Sequence, residues 1–178
     1  MKVKNGSHGA VTETPPACAP ESGESGSSSR AARLVKRILV PIDFSDCSLR
    51  ALEYAIGLAQ QLGAVVTVLH VVEPAMHADN YLAASSAFDQ PTQNLLEDGR
   101  ERLRAVATKH LGHRSGSEVL VRVGRAPSEI LDTAQALGAD MIVLGTHGHT
   151  GLKHVLLGST AERVLRQASC PVLTVRSV

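Results

Sequence analysis

The chain has 178 residues, enough for one domain with its own core and too few for two of ordinary size. A formal net charge of +1 and a set of two Tyr and two Phe argue against a surface built for nucleic acid or anionic lipid. Cys18, Cys47 and Cys170 form no CxxC pair, which excludes a disulfide framework and a zinc site.

Residues 5–30 are Gly, Ser, Pro, Glu and Thr with little to bury, so residues 1–33 are predicted as a disordered tail. Residues 34–178 are predicted as the single folded domain. No apolar segment follows the N-terminal lysines, and no apolar run reaches the ~18 residues of a spanning helix. The expectation is a cytoplasmic protein without membrane or nucleic-acid partners.

The first strand is predicted over Arg37-Ile-Leu-Val-Pro-Ile42, followed by a turn through Asp43-Phe-Ser45-Asp46. Leu49, Leu52, Ala55, Ile56 and Ala59 recur at helical spacing between Ser48 and Leu62, and Gly63 supplies a stop. The run from Ala64 to Val72 is a nearly continuous apolar strand, with His70 inside it as a core histidine. An irregular loop is expected over 75–91. A long helix is predicted from Gln93 to His110, weakened by Gly99 at its middle.

A third strand is predicted over 117–123. A helix with Pro127 at its first position then runs to a stop at Gly138. Met141 to Leu144 forms the fourth strand, 158–168 contains the fourth helix, and 171–175 is a closing strand. Alternation of this kind implies an α/β fold: a single doubly wound domain, a five-stranded parallel sheet with helices on both faces. If the first and fourth strands are neighbours, the strand order is 3-2-1-4-5, and the ligand crevice lies at their carboxyl ends.

Those two ends carry the non-aliphatic chemistry. Asp140-Met-Ile-Val-Leu-Gly145-Thr-His-Gly148 ends an aliphatic run in spaced glycines. Nine residues later Gly158-Ser159-Thr160-Ala-Glu162 opens a helix. Glycine lets the main chain curl round an anion with no Cβ in the way, and a helix start offers unpaired N–H groups and a favourable dipole. Ser159 and Thr160 add hydroxyl donors. The competing structural reading makes Ser159-Thr-Ala-Glu162 a capping box and the glycines plain turn residues.

Asp43 is suited to ribose hydroxyls or a phosphate-bound cation, against a plain turn or capping role. Val71 ends the second strand with backbone groups for a flat base. His147, His149 and His154 have no Cys or carboxylate beside them, so an anion contact or a solvated side chain at His147 fits better than a metal site. Cys47, near the first helix start, reads as a small buried filler, with redox sensing open beside it. Cys170 reads as filler too. GxxxxGKS/T and GxSxG are absent, as is a GxGxxG opening the first helix, and no acid–base pair accompanies the glycines.

The spacing Gly145-x2-Gly148-x9-Gly158-Ser159 resembles the nucleotide-binding signature of the universal stress protein family. Ile38-Leu-Val-Pro-Ile-Asp43-Phe-Ser45, Leu69-His-Val-Val72, Ala139-Asp-Met-Ile-Val-Leu and Cys170-Pro-Val-Leu-Thr-Val175 extend the likeness from about Lys36 to Arg176. The resemblance implies the ATP-binding subclass, with ATP, alone or with Mg2+, as cofactor, and a homodimer through the C-terminal strand. By position, Pro41 and Ile42 would line the base pocket, and Asp43 and Val71 would meet ribose and adenine. Gly145, Gly148, Gly158, Ser159 and Thr160 would meet ribose and phosphates.

The expected function is a nucleotide-sensitive stress-response switch or scaffold with, at most, slow ATP hydrolysis. Two alternatives stay open: a dimeric interaction module of the same fold that binds no nucleotide, and an ATP-cleaving or nucleotidyl-transfer enzyme. Against the enzyme, Pro41-Ile-Asp-Phe-Ser45 lacks the glycines of a pyrophosphate loop.

Overall fold

The computed structural model describes residues 34–73, 90–112, 116–148 and 157–176. The predicted tail lies outside these residues. So does the loop expected over 75–91, except for its last two positions, Gln90 and Pro91, which belong to a helix. Strands β1 (Arg37–Pro41), β2 (Val65–Val72), β3 (Glu118–Val123), β4 (Met141–Gly145) and β5 (Val172–Val175) alternate with helices. These are α1 (Asp46–Leu62), α2 (Gln90–His110), α3 (Ala126–Leu137) and α4 (Ser159–Gln167).

All strand pairs are parallel and the order is β3-β2-β1-β4-β5. β1 is flanked by β2 with Leu39 opposite Thr67, and by β4 with Leu39 opposite Ile142. Strand order therefore reverses between β1 and β4, and a crevice opens at their carboxyl ends.

Side chains alternate across the sheet, so two cores form. On one face Ile38, Val40, Val66 and Val68 pack with Ala51, Leu52 and Ala55 of α1 and Leu103 of α2. On the other, Leu39, Leu69, Ile142 and Leu144 pack with Ile130 and Ala134 of α3 and Ala161 and Val164 of α4.

Helix ends follow their local chemistry. Ser45 caps α1 by accepting a hydrogen bond from the Ser48 N–H, and Gly63 closes it in the left-handed conformation at φ 61°. Gly138 closes α3 in the same way, while Pro127 stands one position inside that helix rather than first. Gly99 has a packing reason: a Cβ there would lie 3.0 Å from Cδ2 of His70, so its absence lets α2 approach β2 closely. At the amino edge of the sheet, Asp140 Oδ2 accepts from the backbone N–H groups of Lys36 and Arg37, tying β4 to the start of β1.

Leu39 is fully buried under α3 and α4. Leu39→Ala should lower unfolding stability by about 3 kcal/mol through lost transfer energy and an unfilled cavity, read from urea denaturation.

Candidate functional site

A cleft of about 290 Å³ lies at the carboxyl ends of β1 and β4. The structure brings all nine residues singled out above to its wall: Pro41, Ile42 and Asp43 from β1 and its turn, and Val71 from β2. Gly145 and Gly148 follow from β4, and Gly158, Ser159 and Thr160 from the start of α4. Leu69, Ile130 and Leu144 complete an apolar side. Ser48, Ala126, Thr146 and Ala161 also line it and were not singled out. For Ala126 and Ala161 the periodicity of an alternating fold held the signal, since each opens a helix at the carboxyl edge.

The start of α4 departs from the capping-box reading. The cap is Gly158, not Ser159, and no side chain caps the helix among the described residues. Gly158 donates its own N–H to the Thr146 carbonyl at 2.7 Å, and the first intrahelical bond runs from the Glu162 N–H to the Gly158 carbonyl. The amides of Ser159, Thr160 and Ala161 therefore precede the helical ladder, on the cleft wall, at the positive end of the dipole. Glu162 is held by Arg166 at 3.0 Å instead of reaching back. At the start of α3, also on the cleft, Glu73 Oε1 accepts from the Ala126 N–H at 2.5 Å.

The glycines serve close approach, and none of the three in the signature has a positive φ. A Cβ on Gly145 would lie 2.9 Å from Cys47 Sγ and 3.0 Å from the Cys47 carbonyl carbon, so this glycine lets β4 abut the first turn of α1. Gly145 thus has a packing role beside any ligand role. A Cβ on Gly148 would collide with Oδ2 of Asp43. The expectation was space owed to an anion; the first obstacle is the protein's own carboxylate. A Cβ on Gly158 would stand 3.3 Å from the Thr146 carbonyl oxygen.

Asp43 closes its turn and also lines the cleft. Its Oδ1 accepts from the N–H and Oγ of Ser45 at 3.0 and 2.6 Å, a closed Asx turn, while Oδ2 faces Gly148 across the cleft. Between them stands Phe44 at φ 68°, a left-handed conformation costing an L-residue roughly 1–2 kcal/mol. Its ring packs on His70 with centroids 4.4 Å apart, and the Arg102 guanidinium lies 4.2 Å from the ring centroid on the α2 side.

His70 is a satisfied histidine, as its place in an aliphatic strand suggested. Its Nδ1 lies 3.0 Å from the Ile42 carbonyl, which only accepts, so that nitrogen carries the proton. Burial pushes the ring below the ordinary histidine range; the Ile42 bond opposes this and nearby Arg102 adds to it. Cys47 is buried and donates from Sγ to the Val175 carbonyl at 3.3 Å, matching the filler reading. Burial raises the Cys170 thiol.

His147 shares a 2.9 Å hydrogen bond between its Nδ1 and Thr146 Oγ1. His149 and His154 lie outside the described residues. Among the described residues no cluster of His, Cys, Asp or Glu is suited to a metal ion, and no helix is long and apolar enough to cross a membrane.

Fold and cleft together define a doubly wound α/β protein with an anion-suited crevice at its switch point. The model of the universal stress protein family matches residues 35–176, and the chain belongs to that family. Universal stress protein MJ0531 of Methanocaldococcus jannaschii is 38% identical over 145 residues, covering 80% of this chain and 83% of that one. The solved structure of MJ0577 from the same organism superimposes with TM-score 0.69 at 28% identity, covering 82% of this chain and 98% of that one. Two further structures, each 23% identical, share the fold. One is a universal stress protein in complex with cAMP, with TM-score 0.62 over 82% of this chain and 99% of that one. The other is the Archaeoglobus fulgidus protein in complex with dAMP, with TM-score 0.58 over 80% of this chain and 98% of that one.

Two outcomes follow. Gly145→Ala should destabilise the fold by about 1–3 kcal/mol, because the Cys47 backbone cannot retreat without moving α1; thermal unfolding reads this. The second concerns pH. The folded-state pKa of His70 lies below its ordinary value of 6.5, so the unfolded chain binds that proton more readily. The neutral ring contributes stability that is complete above that value and is lost as pH falls through the folded-state pKa. Urea midpoints at about pH 7.5 and about pH 5.5 should therefore differ less in His70→Gln than in the wild type.

Proposed function

We propose that this universal stress protein binds an adenine nucleotide, ATP in the first place, in the cleft between β1 and β4. It would act as a nucleotide-sensitive switch or scaffold in the stress response. The observation that carries the reading is the start of α4. Three main-chain amides and two hydroxyls stand on the cleft wall with a glycine as cap, where a phosphate chain gains charge-assisted bonds. The apolar side formed by Ile42, Leu69, Val71 and Ile130 suits a base.

Charge orients the ligand within the cleft. Asp43 only accepts hydrogen bonds, so ribose hydroxyls or a phosphate-bound Mg2+ belong beside it, and bare phosphate oxygens do not. Glu73 occupies the α3 start and Ser45 caps α1, which leaves α4 as the anion end. The cAMP and dAMP held by two proteins of the same fold support this class of ligand by analogy of fold.

Slow hydrolysis at most is part of the proposal. The same reading includes a cytoplasmic location and a homodimer through β5, an edge strand whose four residues are all half-buried in the single chain. Sedimentation of the 18.7 kDa chain should accordingly give twice that mass.

Titration calorimetry with ATP tests the central claim. Gly158→Val should weaken ATP at least about tenfold, since its branches would crowd the Thr146 carbonyl and the phosphate side together. Its backbone at φ −69° and ψ 157° is open to any residue, so the variant should still fold with a cooperative melting transition. Absence of ATP binding by the wild-type chain would favour the interaction module, and turnover above about 1 per second would favour the enzyme.

A further inference from the structure

We propose that Phe44 is a positioning residue for the cleft: its ring, clasped between His70 and Arg102, holds the turn that aims Asp43 at the ligand and so ties the cleft to α2. For its ligand class this inference rests on the nucleotide reading of the same cleft.

Phe44 is the one non-glycine residue with positive φ among the described residues, and an aromatic side chain has no hydrogen bond with which to favour that conformation locally. Support comes from outside the turn. His70 belongs to β2 and is anchored to the Ile42 carbonyl, which fixes one wall of the clasp to the sheet. Arg102 belongs to α2 and forms the other wall. The approach of α2 that brings Arg102 over the ring depends on Gly99, where a Cβ would meet His70.

Phe44 does not line the cleft, whereas Asp43 before it does. Ser45 after it holds Asp43 Oδ1 with both its N–H and its hydroxyl, so the Asx turn, in the form that points Oδ2 at Gly148, is built on the left-handed backbone of Phe44. Without the ring, nothing in the clasp opposes a return to ordinary φ, and the carboxylate swings away from Gly148. The charged groups around the clasp are Arg102 and Asp98 on α2, 3.8 Å apart, and Asp43 on the turn.

The test separates the ring from the backbone. Phe44→Gly keeps the positive φ accessible without strain and removes only the clasped group, and Phe44→Tyr restores a ring. In the ligand-free full chain, hydrogen exchange of the Ser45 amide should rise about tenfold in Phe44→Gly, the fold-change of one lost charge-assisted bond, with the core Leu39 amide unchanged. Phe44→Tyr should return the Ser45 amide to wild-type exchange.

ATP affinity should fall about tenfold in Phe44→Gly and about threefold in Arg102→Met, the latter matching a surface cation–π contact. In an Asp43→Asn background Phe44→Gly should add no further loss, because its effect passes through that carboxylate. Unchanged Ser45 exchange in Phe44→Gly overturns the proposal, and so do additive losses with Asp43→Asn. A wild-type chain that takes up no ATP sinks the nucleotide reading instead, and Ser45 exchange alone then decides the role of Phe44.

Discussion

Parallel pairing of β1 with β4 in the middle of the sheet is the constraint from which the site follows. Chain order would place β2 beside β1 on one side and leave the other side to a distant strand. Once β4 takes that place, the segments leaving the two strands diverge to opposite faces, toward α1 and toward α4. The gap between them cannot be closed by either helix. What remains is a wall of main chain, with buried aliphatic side chains beneath it and a helix start on one flank.

Close approach is the second theme. At Gly145 the strand touches Cys47, at Gly99 the helix touches His70, and at Gly148 the chain touches Asp43. Each contact leaves no space for a methyl group, so the three glycines fix distances between elements rather than loosen the backbone. Beside the cleft, β4 and α1 meet over Cys47. Asp43 and the α4 amides bring polar groups to the cleft from opposite flanks.

Electrostatic balance is reached locally, with little formal charge. Three helices begin at the cleft, and Ser45 caps α1. A carboxylate satisfies α3, while α4 starts on glycine with Glu162 drawn off by Arg166. A helix start with no side-chain cap among the described residues favours an anion by its dipole and by amides that precede the helical ladder. Asp43 on the other flank imposes the opposite preference. A ligand with a hydroxyl-bearing middle and an anionic end matches both.

The order of elements, the parallel sheet and the helix stops at Gly63 and Gly138 were legible in the chain, because hydrophobic period and glycine chemistry act within a few residues. Proximity of Asp43, Val71, Gly145 and Gly158 was legible only through the strand order and through a family resemblance. The true cap of α4, the contact behind Gly145 and the clasp around Phe44 were not legible. Each joins residues separated by at least 26 positions or depends on where one amide points, and both are settled when sheet and helices pack. Sequence alone determined which segments become strands and helices, since local sterics and burial period decide that. Tertiary packing decided that the α4 start and Asp43 share one cleft, because donors and acceptors from distant segments are brought together only when those segments meet.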